Sequence, residues 1–321
     1  MTRRIAALLL AASLTVATAA CGGSTNTPTT GPQSSGPADK VKAGVIAIVD
    51  VAPIYLGKQQ GFFAKHNIDL TMETAQSGAA IVPAVLSGQY QFGFSNVVSL
   101  MLAQSRNVPI KVVSNGNNAT ADPKADFGGL VVKDPAIVSA KDLAGKKVAT
   151  NALKNIVDTT VKNIVQKDGG DPSKVNFVEL AFPDMAAALE AGNVQGIFVV
   201  EPFLSAAKAK GWKVIGSYAD VAPNLCVALY FTSKDLIAKN PDLVKRFSDA
   251  MHESLAYADA NPDAVRGVLS SYTQLSEAQR KTLTLPKWPS EINKDSIAKL
   301  GDLAVTYGLL TAKPDLGALL P

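Results

Sequence analysis

The chain has 321 residues, of which 47% are hydrophobic and 18% charged. It therefore holds enough apolar material for a full core and is longer than one average domain. The formal net charge of +4 is too small an excess to suggest a nucleic-acid partner. Two histidines and two cysteines offer no metal-binding spacing and no disulfide framework, so neither a metal nor a cofactor is expected.

At the amino terminus MTRR supplies positive charge, and Ile5 to Ala20 (IAALLLAASLTVATAA) forms a largely apolar run of 16 residues ahead of Cys21. That is the layout of a secretory signal, and it is short for a membrane span of about 20 residues. Removal of residues 1–20 takes away Arg3 and Arg4, so the charge of +4 becomes +2. The run Thr18-Ala19-Ala20-Cys21 resembles a bacterial lipobox, with Thr18 where that pattern has Leu. The resemblance implies lipidation at Cys21 and anchoring to the outer face of the cell membrane. Gly22 to Ala38 carries no charge and no large apolar side chain, so residues 21–39 are expected to be a flexible tether. Cys226, in the strand-like run LCVALYF, is expected to be a small buried hydrophobe.

From Val41 strands and helices alternate. VKAGVIAIV is β-branched and apolar, APIYLGKQQGFF starts a helix with Pro53 in its first turn, IDLTME alternates, and Ala79 to Leu86 is helical. Tyr90 to Phe94 is a strand, Val97 to Gln104 a helix and IKVVS a strand. The polar stretch Asn115 to Phe127 reads as a loop, after which a second series begins: GGLVVK, KKVAT, NIVDTTVKNIVQK, VNFVEL, PDMAAALEA, GIFVV, EPFLSAAKAKG and WKVIGS. Capping-box spacing joins Ser139 to Asp142 and Asn155 to Asp158. This alternation predicts βαβ units and mostly parallel sheets. After NLCVALYFTS the chain is mostly helical, and NPDLVKRF and NPDAVRGV each place Asn at a cap and Pro at the first helical position.

One device occurs twice. SGQYQFGFSN and AGNVQGIFVVEP align Gly88 with Gly192, Gln91 with Gln195 and Phe94 with Phe198. The two stretches are expected to be equivalent strand-to-helix corners of two α/β halves.

Loops at the carboxyl ends of such strands, leading into helix amino termini, form a binding crevice whose free N–H groups attract anions. The candidate positions are Ser77-Gly78, Ser95-Asn96, the Asn151 to Asn155 loop with Asn155 foremost, and Glu201 before Pro202. Asp50 ends the first strand, and Tyr55 and Phe182 are candidates for stacking on a planar ligand. Ser77, Asn96 and Asn155 are equally good helix caps. Glu201 is not a favoured cap and is therefore expected to contact ligand, so that Glu201→Ala costs affinity and little stability. Two carboxylates, Asp50 and Glu201, disfavour a bare anion and suit a solute with both donors and acceptors.

The blocks APIYLGKQQGFFAKHNIDLTM, LSGQYQFGFSN, VSAKDLAGKKVAT, Asp184 to Gly192, Glu201 to Phe203 and NPDLVKRFSDAMHESLAYADANPD resemble the ABC-importer substrate-binding proteins for nitrate, taurine, alkanesulfonates and thiamine-precursor pyrimidines. The resemblance implies a type II periplasmic-binding-protein fold, two α/β lobes joined by two hinge strands with the ligand cleft between them. Residues 40–128 and 229–321 would form the first lobe, which the helical tail rejoins, and 129–228 the second. It implies a monomeric, exported lipoprotein that delivers a small polar organic solute, amino-sulfonate-like or aminopyrimidine-like, to an ABC permease and its ATPase subunit. Two other readings share the fold: a sensor for a membrane receptor, and an enzyme of the pyrimidine-synthase lineage. Against catalysis, GFSNV has Val97 where a nucleophile elbow has glycine. His66 reads as a solvated loop residue and His252 lies on a tail helix, so no triad is expected.

Overall fold

The computed structural model describes residues 36–321. The expected signal 1–20, the lipidation at Cys21 and the tether as far as residue 35 lie outside the described residues. The first strand begins at Asp39, which pairs with Ile68, one residue inside the stretch 21–39 expected to be a tether.

Ten strands alternate with helices: β1 (Asp39–Val45), β2 (Ile68–Thr74), β3 (Phe92–Asn96), β4 (Ile110–Asn118), β5 (Gly128–Val132), β6 (Lys147–Thr150), β7 (Asn176–Glu179), β8 (Gly196–Val200), β9 (Lys213–Ser217) and β10 (Cys226–Ser233). They form two five-stranded sheets, β2-β1-β3-β10-β4 and β7-β6-β8-β5-β9. In the first, β1 runs parallel to β2 and β3, and β10 runs antiparallel to β3 and β4. In the second, β6 runs parallel to β7 and β8, and β5 runs antiparallel to β8 and β9. The two sheets share one plan, with a single reversed strand in the fourth place. β5, β8 and β10 are buried along their whole length, as expected of continuous apolar runs covered on both faces.

GGLVV (β5) and CVALYFTS (β10) are thus the reversed inner strands, one in each sheet. The chain itself crosses at residues 119–127 and 218–225. These crossings pair through Ala119 N–H to Leu225 O (2.7 Å) and Asn224 N–H to Thr120 O (3.1 Å). Asp126 ties them further: its Oδ1 accepts from the N–H groups of Thr120 and Phe127, and its Oδ2 from that of Ala219, all within 3.0 Å. Burial pushes this carboxyl up while the three N–H donors hold it down.

Two other local expectations are corrected. The polar stretch from Asn115 is not yet a loop, since Asn115–Asn118 extend β4 and are buried. Their amide N–H groups bond internally: Asn115 Nδ2 donates to Pro289 O (2.7 Å), Asn117 Nδ2 to Asp50 Oδ1 (3.0 Å) and Asn118 Nδ2 to Asn224 O (3.0 Å). His66 is not solvated either; its ring is 18% exposed, and Nε2 lies 2.8 Å from Glu253 Oε1.

The helical tail packs on the first sheet. Phe247, in helix Pro241–Ala260, stacks on Phe92 with ring centroids 3.6 Å apart. In helix Lys294–Thr306, Ser296 Oγ accepts from Cys226 N–H (3.0 Å). Cys226 is fully buried, and burial raises its thiol well above the usual range. No helix among the described residues is long and apolar enough to cross a membrane.

Candidate functional site

The carboxyl ends of β1, β3, β6 and β8 converge on one crevice. Ile46, Ile48, Asp50, Phe94, Asn96, Val227 and Ala228 line it from the first sheet's side. Asn151, Ile156, Phe182, Val200 and Tyr218 line it from the second. The cavity they enclose measures about 30 Å³, room for one or two waters. A solute of several heavy atoms enters only when the two sides part.

Asp50 sits in the short 3-10 turn Val49–Val51 that follows β1, and is 2% exposed. Its Oδ1 accepts from Asn117 Nδ2 (3.0 Å), and its main-chain oxygen accepts from Trp288 Nε1 (3.0 Å). Oδ2 has no partner. Burial, opposed by its backbone and Asn117 hydrogen bonds and reinforced by the neighbouring acids Asp126 and Glu201, pushes the carboxyl up to about 7.

Asn96 faces it from the end of β3. Oδ1 accepts from Ser99 N–H (2.9 Å), which caps helix Val97–Ser105, and also from Ile156 N–H (3.3 Å) across the crevice. Asn96 is therefore both a cap and a bridge between the two sides. Ile156 begins helix Ile156–Lys167, whose next N–H groups, Val157 and Asp158, donate to Asn155 Oδ1 (2.8 and 3.4 Å). Asn155 Nδ2 donates to Asn151 Oδ1 (3.2 Å). The capping box is complete through Asn155 N–H to Asp158 Oδ2 (3.1 Å).

Of the positions singled out in the sequence, Asp50 and Asn96 line the cavity, as does Phe182. The others do not. Asn155 is spent on capping, and Asn151 from the same loop takes the place on the wall. Ser77 caps helix Gly78–Leu86 through Ala80 N–H. Gly78 lets that helix approach β3: a Cβ there would sit 2.2 Å from Ser95 Oγ. Ser95 is fully buried behind it, its hydroxyl unpartnered. Tyr55 stacks on Tyr272, centroids 4.0 Å apart.

Glu201 departs furthest from expectation. It is fully buried, and its carboxylate is occupied elsewhere. Oε1 accepts from Ser205 Oγ (2.7 Å) and from Thr284 N–H (3.2 Å), and Oε2 from Ser205 N–H (3.0 Å). Its main-chain oxygen accepts from Val49 N–H (3.1 Å). Burial raises its carboxyl, and these donors oppose the rise. Glu201 joins the end of β8 to the first sheet's side and to the tail, and presents no oxygen to the cavity.

Tyr218 and Asn117 carried no readable signal, the first because it follows an edge strand, the second because it lies in a run that reads as loop. His66 and His252 are not on the cavity wall.

The family model described as NMT1/THI5 like matches residues 48–265. The taurine-binding periplasmic protein of Escherichia coli (strain K12) is 30% identical over 231 residues, 70% of this chain and 69% of that one. The 4-amino-5-hydroxymethyl-2-methylpyrimidine phosphate synthase of Schizosaccharomyces pombe is 22% identical over 217 residues, 63% of this chain and 60% of that one. Among solved structures, the periplasmic nitrate-binding protein NrtA from Synechocystis PCC 6803 superposes with a TM-score of 0.76 at 15% identity, covering 88% of this chain and 86% of that one. The fold is that of the periplasmic binding proteins, and the chain belongs to the NMT1/THI5-like family.

Proposed function

We propose that the protein is an exported solute-binding lipoprotein, anchored through Cys21. It captures a small polar organic solute, amino-sulfonate-like or aminopyrimidine-like, and delivers it to an ABC permease and its ATPase subunit. The observation that carries this reading is the crevice itself. It places an acid, Asp50, and the amides of Asn96 and Asn151 beside the amino terminus of helix Ile156–Lys167, within otherwise apolar walls. Such walls with few polar groups suit recognition of a small molecule. The similarity to a taurine-binding protein supports the same class of solute.

Parting of the two sides breaks the bond from Ile156 N–H to Asn96 Oδ1 and frees the first N–H of the helix for a solute oxygen. Closure then completes the hydrogen bonds and expels water, so solute shifts the population toward the closed form. Binding rather than catalysis fits the lining, in which Asp50 is the one carboxylate and no histidine takes part.

Melting temperature against taurine, a thiamine-precursor aminopyrimidine, ethanesulfonate and nitrate tests the proposal. A matched solute at about 100 times its Kd should stabilise the fold by about 2.7 kcal/mol. Stabilisation by nitrate alone would overturn it.

A further inference from the structure

Asp50 is a buried acid with no cation paired to it among the described residues. None of the groups acting on its carboxyl is basic: Asn117 donates one hydrogen bond, and the charged neighbours are Asp126 and Glu201. Tyr218, Tyr230 and Tyr272 stand around it as phenols that burial keeps neutral, and Trp288 holds its main chain. Asp126 and Glu201 each spend both oxygens on other donors. Asp50 Oδ2 alone is left open, on a residue that lines the cavity. An isolated buried carboxylate is costly unless paired.

Resting on the reading of this cavity as the solute site, the geometry points to Asp50 as the counter-ion for a protonated amine. The solute is then a zwitterion, its ammonium on Asp50 and its anionic end toward Asn96, Asn151 and the amino terminus of helix Ile156–Lys167. One free oxygen suits a single N–H donor of an alkylammonium, and its ionised form is the one that pairs. With the carboxyl pushed up to about 7, binding below that pH releases the carboxyl proton to solvent, so affinity rises with pH. The same shift sets a stability signature. The native state holds this proton more tightly than the unfolded chain between about pH 4 and 7, so stability falls as pH rises through that window.

Calorimetric titration of the wild-type protein and Asp50→Asn with taurine and with ethanesulfonate, at pH 6 and pH 8, tests the assignment. Asn keeps the acceptor for Asn117 Nδ2 and removes the charge. The wild-type protein should prefer taurine by about tenfold or more at pH 8, and its taurine affinity should rise about tenfold from pH 6 to pH 8. Asp50→Asn should lose that preference and that pH dependence, and should melt no lower than the wild type at pH 8, which shows that it folds. If Asp50→Asn binds taurine as tightly as the wild type, or the wild type binds ethanesulfonate as tightly as taurine, the assignment is overturned and the binding function stands. If neither solute binds either protein, the assignment falls with the amino-sulfonate reading, and the proposed function falls too if the aminopyrimidine of the melting-temperature panel also fails to stabilise the fold.

Discussion

The corner at Gly88 and the corner at Gly192 are the same structure built twice. Both glycines are left-handed, with φ of 77° and 76°. In each, a glutamine three residues on turns back to its own glycine, Gln91 Nε2 to Gly88 O and Gln195 Nε2 to Gly192 O, both at 3.1 Å. Each glutamine also accepts from a lysine N–H of the neighbouring parallel strand, Lys42 within β1 (2.8 Å) or Lys147 at the start of β6 (3.1 Å). Phe94 and Phe198 then pack on Tyr230 and Tyr218, centroids 5.2 and 4.6 Å apart. The copies differ in side chains along the strand, Phe92 against Gly196 and Gly93 against Ile197, and differ in task where the strand ends. The first delivers Asn96, which bridges the crevice; the second delivers Glu201, which turns away from it to Ser205 and Thr284. Scaffold is held constant between the halves, and the residues just past it differ in task.

Breaking that divergence should have the largest effect. Glu201→Ala removes the acceptors of the hydroxyl and N–H of Ser205 and of the N–H of Thr284, donors on half-buried residues, a loss of about 1.5 to 3 kcal/mol at roughly 0.5 to 1 kcal/mol for each donor. Urea unfolding should show the midpoint fall, with Glu201→Gln, which keeps one acceptor oxygen, falling less. A variant as stable as the wild type would return Glu201 to the ligand role that its sequence context suggests.

That reversal shows where sequence reading stops. The alternation of elements, the Gly88 and Gly192 turns, the Asn155–Asp158 box and the Asn240-Pro241 helix start depend on neighbours within a few residues, and all are legible. Glu201 is satisfied by Thr284 and Asn117 by Asp50, partners 83 and 67 positions away, and no local pattern announces such a pairing. The same holds for the crevice. Asp50 and Asn96 could be placed because each ends or follows a strand. Asn155 was the better cap and so became unavailable, leaving Asn151, one residue past β6, on the wall. Asn115–Asn118 read as loop because three asparagines and a glycine in a row look solvated; inside the protein the bonds of their amide N–H groups to distant main-chain and side-chain atoms replace water.

A smaller effect sharpens the likeness. A Cβ at Gly88 or Gly192 would meet nothing within 4 Å, so the only cost of Ala at either site is the left-handed backbone. Gly88→Ala and Gly192→Ala should each lose about 1 kcal/mol, equal within error, by urea or thermal unfolding. Unequal losses would mean that one corner relaxes its backbone and the other cannot.

The smallest effect concerns the paired glutamines. Gln91→Ala removes one bond to Lys42 N–H and one to Gly88 O, and Gln195→Ala the matching pair at Lys147 and Gly192. These bonds lie at exposed positions, so water replaces them, and each substitution should lose about 0.5 to 1 kcal/mol. The two glutamines share no partner and belong to different sheets, so the double variant should lose the sum within about 0.5 kcal/mol. Denaturant midpoints of the two single variants and the double variant measure this. A double loss well beyond the sum would show an interaction between the two corners, carried through the crossings at 119–127 and 218–225. Additivity would show each corner closing its own sheet, which is what a device used once per half requires.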